Sequence, residues 1–406
     1  MDAGPYRITV KDDVLAVTRL GTDEEIYTFD RAGRLFAAWI AQRFYRRGLD
    51  GRVLEKYSTR DGARRVGHRR IVPPREADRL LDRAAGTAAQ ALTSLARGEA
   101  DLLWTASAAQ SVGEALRLAA AAAAFDAEAA RTDAERFAAV YRPVGILPPD
   151  QYLALLVQVT EGCAWNRCTF CAFYQGIPFR AKSGAELDAH IRAVIDYLGD
   201  GLSLRHSLFL GEANALGLPT EDLILRLDLV RTWLAPNGGG PRGMYAFLDI
   251  FTGRGKTAQE YAELRAHGLR RVYVGVETGD DGLLAFLNKP QRAADALALV
   301  QTLKSAGLGV GVIVMAGVGG DRYDRSHVAR TLDLLNAMPL GAGDLIYLSA
   351  FVAHPGTEYE RRAAVRGISP LDPRAVQDQI GRLRGGLRFG TDGPRVARYD
   401  IEEFLY

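Results

Sequence analysis

The stretch LALLVQVTEGCAWNRCTFCAFY, Leu153 to Tyr174, joins an apolar run to a loop holding Cys163, Cys168 and Cys171, all three cysteines of the 406-residue chain. The run over 153–160 lacks the polar alternation of a half-exposed strand. It reads as a strand buried on both faces, the kind found in parallel sheets. Five comparable runs follow: SLFLGEA (207–213), MYAFLDI (244–250), RVYVGVET (271–278), GVGVIVMAG (309–317) and LIYLSAFV (345–352). Helical segments separate them. SGAELDAHIRAVIDYLG opens on a capping box, Ser183 with Glu186, and stops at Gly199; TAQEYAELRAHG repeats the device with Thr257, Glu260 and Gly268. AADALALVQTLKSAG stops at Gly307, and HVARTLDLLNAM precedes the sixth strand. Strand–helix alternation of this length predicts an α/β fold of parallel strands with crossover helices. Periodicity alone leaves an open doubly wound sheet and a partial barrel as alternatives. In both, ligands gather where strands end and loops begin.

Working outward, Pro143, Pro148 and Pro149 mark a junction before the first of these strands. Residues 1–143 read differently. EEIYTFD predicts a strand, and Leu35, Phe36, Trp39, Ile40 and Phe44 recur at helical spacing. Ala- and Arg-rich helices are expected from about Arg75 to Ala139. The expected organisation is therefore an N-terminal, mostly helical (α+β) accessory domain over 1–143, a (β/α)6 core over 144–365, and a C-terminal helix and tail over 366–406 packing on that core. Charged residues are 25% of the chain and the net charge is +2, which gives no global pull toward nucleic acid or membrane. No apolar run is long enough to span a bilayer. Three cysteines build no disulfide framework, so the expected location is the reducing cytoplasm.

The cysteine loop lies just beyond the first strand, where an α/β protein places ligands. Three thiolates spaced C-x4-C-x2-C can wrap one metal centre and leave a four-coordinate centre one ligand short. A closed zinc site would need a fourth ligand from elsewhere. A [4Fe–4S] cluster held by three thiolates would keep one iron open to a substrate or cofactor.

GCAWNRCTFCAFY resembles the cluster loop of the radical S-adenosylmethionine (SAM) enzymes, with one residue more in the first gap than the common C-x3-C-x2-C. The resemblance continues in order from Leu153 to Glu358. LFLGEANAL is similar to the Gly-Gly-Glu-type motif, with Leu210 in place of the first glycine. VYVGVETGDDGLLAFLNK resembles the Gly-x-Glu strand of the subgroup that includes methylthiotransferases, elongator-type enzymes and oxygen-independent coproporphyrinogen oxidases, and LSAFVAHPGTEY matches that subgroup's Pro-Gly-Thr ending. The resemblance implies a partial, TIM-like (β/α)6 barrel, with Cys163, Cys168 and Cys171 holding a [4Fe–4S] cluster. It implies that Gly211 and Glu212 receive the SAM amino group and that Glu277 faces SAM. Phe170 and Ile313 would lie by the adenine. The activity implied is reductive cleavage of SAM to a 5′-deoxyadenosyl radical that acts on an organic small molecule. An electron donor such as flavodoxin or ferredoxin would serve it. No individual catalytic residue beyond these is assigned.

The absence of a fourth cysteine argues against a second cluster, and so against methylthio transfer and sulfur insertion. No D-x-H-x-x-G cobalamin motif occurs in 1–143, and no acetyltransferase domain follows the barrel. Two further readings stand beside the first: an enzyme modifying RNA, and a non-enzymatic iron–sulfur sensor or scaffold. RNA draws attention to residues 43–70, where ten Lys/Arg face three acids for a local balance of +7. A solvated basic surface is the favoured reading of that segment, and nucleic acid the less favoured partner. The N-terminal domain is expected to help choose the substrate. His354, just after the sixth strand, is a candidate substrate contact.

Overall fold

The computed structural model describes residues 5–61, 64–105, 111–235 and 243–406. The chain divides into two compact units, one of residues 1–144, 192–206 and 403–406, the other of 145–191 and 207–402.

The first unit is built on an eight-stranded sheet. Its strands are β1 (Tyr6–Val10), β2 (Val14–Arg19), β3 (Glu25–Asp30), β4 (Leu35–Ile40), β5 (Arg43–Arg47), β6 (Val53–Asp61), β7 (Arg64–Ile71) and β8 (Asp101–Trp104). The first seven form an antiparallel meander, and β8 returns beside β1 in parallel. Helices α1 (Pro74–Ala96), α2 (Val112–Ala123) and α3 (Ala127–Val140) follow the strands. Inward residues of the strands, such as Ile8, Leu15, Val17, Tyr27 and Phe29, meet Ala84, Ala88 and Ala91 of α1 and Ala119 and Ala122 of α2 in one core. Alanine on these helices lets them lie close to each other and to the sheet.

The unit is α+β, and its helices lie where the Ala-rich segments predict them. The helix expected over Leu35, Phe36, Trp39, Ile40 and Phe44 is instead the β4–β5 hairpin. Ala41 and Gln42 make its two-residue turn at φ 48° and 61°, and Trp39 sits opposite Phe44 across it. Aromatic and branched side chains favour such cross-strand pairing. The turn lacks the Asn-Gly or Asp-Gly signature that announces a hairpin, so the helical spacing was misleading. The segment before Pro74 is therefore sheet, which leaves less of this unit helical than expected.

The basic segment is sheet too, and several of its cations are paired with acids. Glu55 takes Arg43 at 2.8 Å and Arg70 at 2.5 Å, Asp133 takes the buried Arg47 at 3.0 Å, and Glu403 takes Lys56 at 2.5 Å.

The second unit carries seven parallel strands: β9 (Ala154–Gln158), β12 (Ser207–Gly211), β13 (Met244–Leu248), β14 (Leu269–Glu277), β15 (Gly309–Ala316), β16 (Leu345–Ala350) and β17 (Arg395–Tyr399). A two-stranded ladder, β10 (Thr160–Glu161) with β11 (Arg180–Ala181), lies between β9 and β12 in sequence. The helices are α4 (Gly184–Leu198), whose residues from 192 onward group with the first unit, α5 (Thr220–Leu234), α6 (Ile250–Gly253), α7 (Ala258–Ala266), α8 (Asp281–Phe286), α9 (Ala293–Ser305), α10 (Gly320–Ala337), α11 (Glu358–Val365) and α12 (Pro373–Gly385). Both expected capping boxes form, at Ser183 with Glu186 and at Thr257 with Glu260.

All six expected strands are present. Sheet neighbours are also successive parallel strands along the chain, with no reversal of order. A doubly wound sheet reverses at a switch point. This sheet winds one way, as a barrel does, and β9 and β17 remain its edges: a partial barrel. The seventh strand, RVARY, was not expected. Arg395 and Arg398 keep it from reading as apolar, yet it pairs with β16 from Leu345–Arg395 to Ser349–Tyr399. Thus α12 and β17 stay with the barrel, while Glu403–Tyr406 group with the first unit. No helix of the described residues is long and apolar enough to cross a membrane.

Candidate active site

The loop after β9 is an excursion closed at its base by the β10–β11 ladder. Glu161 locks that base, accepting from Arg180 Nε and Nη2 at 2.9 Å each and from Lys182 Nζ at 2.6 Å. Within the loop, the Asn166 N–H donates to Cys163 Sγ at 3.5 Å, and the Cys171 N–H turns back to the Cys168 carbonyl at 3.3 Å. The segment after α8 clamps the outer side. Trp165 Nε1 donates to the Asn288 carbonyl at 2.9 Å, Asn288 Nδ2 donates to the Arg167 carbonyl at 2.7 Å, and the Thr169 N–H donates to the Leu287 carbonyl at 3.0 Å.

The three cysteines line one cavity, with about 1150 Å³ of empty space open to solvent. The cavity also takes in Phe170, Asp249, Glu277, Lys289, Ile313 and His354. Burial pushes the Cys168 thiol up to about 12, partly opposed by the Lys289 ammonium, and burial raises Cys171 as well. Metal ligation requires thiolates, so loading this site releases protons. Among the described residues no three His, Cys, Asp or Glu side chains converge on a point for a single ion. A polynuclear cluster is ligated at separate irons and needs sulfurs disposed around a volume. Three thiols around one cavity, one of them accepting a backbone N–H, meet that requirement.

Glu277 ends β14. Its φ of 63° and a register shift between Gly275 and Glu277 against β15 form a bulge that re-aims the side chain. Its carboxylate meets Lys289 Nζ at 2.7 Å, and the same ammonium donates to the Gly275 carbonyl at 2.9 Å. Burial alone would push Lys289 down; Glu277, with Cys168 and Asp249, outweighs it and holds the ammonium above its ordinary value. Gly275 makes room for the pair, since a Cβ there would lie 2.4 Å from Glu277 Oε1 and 3.2 Å from Lys289 Nζ. Asp249 caps α6, accepting from the Thr252 N–H at 2.6 Å and Thr252 Oγ1 at 2.9 Å, and burial raises its pKa.

Of the residues singled out in the sequence, the cysteines, Phe170, Glu277 and Ile313 share this lining. Gly211 and Glu212 do not. Glu212 Oε1 accepts from Gln158 Nε2 and Oε2 from the Gly162 N–H, each at 2.8 Å, while its own N–H donates to Thr160 Oγ1 at 3.2 Å. Its carboxylate therefore holds the first turn of the cysteine loop. Gly211 packs against β9, where a Cβ would lie 2.7 Å from Leu156 Cδ1. Sequence reasoning missed Lys289 and Asp249. The signal was present for both: a lysine closing the apolar LLAFLNK, and an aspartate ending the strand FLD.

Residues 157–335 match the family model of the Radical SAM superfamily. Three solved structures are similar over part of the chain. The cobalamin-dependent S-adenosylmethionine radical enzyme OxsB shares 14% identity over 55% of this chain and 31% of that one, with a TM-score of 0.36. Elp3 of the archaeon Methanocaldococcus infernus shares 14% over 60% and 56%, at 0.41. Coproporphyrinogen III oxidase (HemN) from Escherichia coli shares 16% over 62% and 56%, at 0.40. The chain thus spans about a third of OxsB and somewhat over half of the other two. No curated protein matches it.

Proposed function

We propose that this chain, a member of the radical SAM superfamily through residues 157–335, binds a [4Fe–4S] cluster through Cys163, Cys168 and Cys171 and cleaves SAM reductively beside it. When bound, cluster and SAM supply a one-electron cleavage that yields a 5′-deoxyadenosyl radical able to take hydrogen from an organic substrate. The chain's own part is positioning and exclusion of water. Glu161 and Glu212 fix the loop that presents the thiols. The Glu277–Lys289 pair offers an ammonium and a carboxylate to the charged methionyl end or the ribose of SAM, and Phe170 and Ile313 give apolar surface for the adenine. A one-electron donor of the flavodoxin or ferredoxin class would supply the electron, and the substrate is a small molecule.

The observation that carries this reading is the shared cavity: three thiols from the loop after β9, and the ion pair of Glu277 at the end of β14 with Lys289 after α8, lining one space. The test is anaerobic reconstitution with iron and sulfide, then dithionite and SAM, with 5′-deoxyadenosine measured. The wild type should form it and hold about four irons per chain, and Cys168→Ala should lose both. A wild type that takes up the cluster but releases no 5′-deoxyadenosine, even with cell extract added, would overturn the proposal.

A further inference from the structure

The first turn of α11 is bonded to the cysteine loop. The Tyr359 N–H donates to the Thr169 carbonyl at 2.9 Å, and Thr169 follows Cys168. Inward, α11 buries Tyr359 and Ala363 in a small apolar cluster with Phe286, Leu287 and Ile368. Phe170, which lies between Cys168 and Cys171 and lines the cavity, packs against that cluster. The same layer of side chains thus supports α11 and backs the loop that presents the thiols.

The outward side of α11 is basic. Arg361, Arg362 and Arg366 line a surface depression together with Glu358 and Val365. The Arg366 guanidinium stands 5.1 Å from the centre of the Phe286 ring, and Arg362 Nη1 donates to the Phe286 carbonyl at 3.3 Å. Arg322 of α10 joins them, its Nη1 donating to the Arg366 carbonyl at 3.3 Å. The acids that adjoin these arginines in sequence are Glu358, Glu360 and Asp321, and each is engaged. Glu358 takes both Arg361, at 2.8 Å, and Arg362, at 2.9 Å. Glu360 accepts from the Gly356 N–H at 2.8 Å, and Asp321 from the Ser369 N–H at 3.0 Å. Arg322 and Arg366, both exposed, form no ion pair among the described residues. Val365, 88% exposed, shares the depression with the arginines. An apolar centre with a charged rim is the anatomy of a protein interface, and electron-transfer encounters are among the smallest. Electron transfer falls off steeply with distance, so a donor must dock where little protein separates it from the thiols.

We propose that this patch, Arg322, Arg361, Arg362 and Arg366 around Val365, is the docking surface for a small, acidic one-electron donor protein. The donor gives up one electron for each SAM cleaved, and the C–S bond breaks to give methionine and the 5′-deoxyadenosyl radical. This names the surface that the partner uses and rests on the reading given under Proposed function. Complementary charge acts chiefly on the encounter of the two proteins, and salt screens it.

The test compares two reductants of the reconstituted protein: dithionite, which needs no docking site, and flavodoxin hydroquinone regenerated by NADPH and its reductase. Arg361→Glu combined with Arg366→Glu should raise the half-saturating flavodoxin concentration at least about tenfold at about 50 mM salt. Iron content should stay at the wild-type level, and dithionite-driven 5′-deoxyadenosine formation should change less than about twofold. Arg361→Lys combined with Arg366→Lys keeps the charge and should stay within about threefold of wild type. Binding of labelled oxidised flavodoxin, followed by fluorescence anisotropy, should weaken at least about tenfold in the charge-reversed protein, and the difference should close at about 0.5 M salt. Flavodoxin that binds and serves both proteins equally, or a dithionite rate that falls as far as the flavodoxin rate, would overturn the inference. So would a wild type that dithionite drives but that neither flavodoxin nor a reduced [4Fe–4S] ferredoxin drives. A wild type that no reductant drives sinks the proposed function instead, and the anisotropy then still decides whether the patch docks an acidic donor.

Discussion

At the scale of single residues, the site depends on small departures from regular backbone. Gly275 is the sharpest case, because its missing Cβ is the space that the Glu277–Lys289 pair fills. Gly275→Ala should push the Glu277 carboxylate aside without touching the thiols. Misplacing a positioning group by about an ångström can cost about a hundredfold in rate, so 5′-deoxyadenosine formation should fall between tenfold and a hundredfold while iron content stays near wild type. An unchanged rate would show that Glu277 plays no part. His327 acts one layer further out. It is fully buried on α10, and its Nδ1 shares a 2.7 Å hydrogen bond with Thr278 Oγ1, next to Glu277. Burial pushes it down to about 4, against the pull of Asp280 and Asp324 and with some help from Arg382. The unfolded chain binds this proton more tightly, near the ordinary value of about 6.5. The stability contributed by a neutral His327 is therefore complete above about 6.5 and is lost as pH falls toward 4. At about pH 5 the loss is about 2 kcal/mol. Urea unfolding of the wild type should weaken between about pH 7.5 and pH 5, and His327→Gln should remove about 2 kcal/mol of that fall. Identical falls in both proteins would refute the assignment.

At the scale of elements, the cysteine loop is shaped by partners far along the chain. The Leu287–Asn288 stretch supplies three of its anchoring hydrogen bonds. Asn288 itself has φ 56°, a conformation glycine adopts freely. Asn288→Gly should therefore keep the backbone carbonyl that Trp165 uses and delete only the side-chain bond to Arg167. The expected cost is about 1 kcal/mol, read as a severalfold faster loss of iron to a chelator with little change in Tm. Iron loss at the wild-type rate would mean that the clamp is not limiting. Such long-range partners explain what the sequence could tell and what it could not. The six buried strands were legible because each is a short apolar run bounded by helix caps, and the cysteines because they share one loop. Lys289 was not, since its role appears only when the turn after α8 folds back under Gly275. Glu212 was legible as a carboxylate at a strand end, but its hydrogen bonds to Gln158 and the Gly162 N–H were not, because they form only when β9 and β12 pair. The β4–β5 hairpin was misread because five apolar residues satisfy helical and alternating periods alike. The arginines of β17 hid a strand whose partner, β16, supplies the pairing its composition does not advertise.

At the scale of the whole molecule, the +7 balance of residues 43–70, which already counts Glu55, is offset by two acids distant in sequence, Asp133 on Arg47 and Glu403 on Lys56. Glu403 belongs to a segment that also matters for stability. Residues 403–406 lie in the first unit, where Arg46 Nη2 donates to the Leu405 carbonyl at 3.1 Å and the Tyr406 ring sits edge-on to Tyr141 at 5.6 Å. Phe404, Leu405 and Tyr406 are 4%, 0% and 3% exposed. Full burial of such side chains is worth roughly 1.5–3 kcal/mol each, an upper figure because unfolded chains already bury some apolar surface. Their sum, at most roughly 4.5–9 kcal/mol, is comparable to the whole stability of a typical domain. A protein ending at Glu402 should therefore be insoluble or melt at least about ten degrees lower. Leu405→Ala should cost about 2–4 kcal/mol by cavity formation alone and remain foldable. Thermal unfolding followed by circular dichroism distinguishes the cases. A shortened protein melting within about two degrees of the full chain would show that these three side chains contribute little to holding the first unit together.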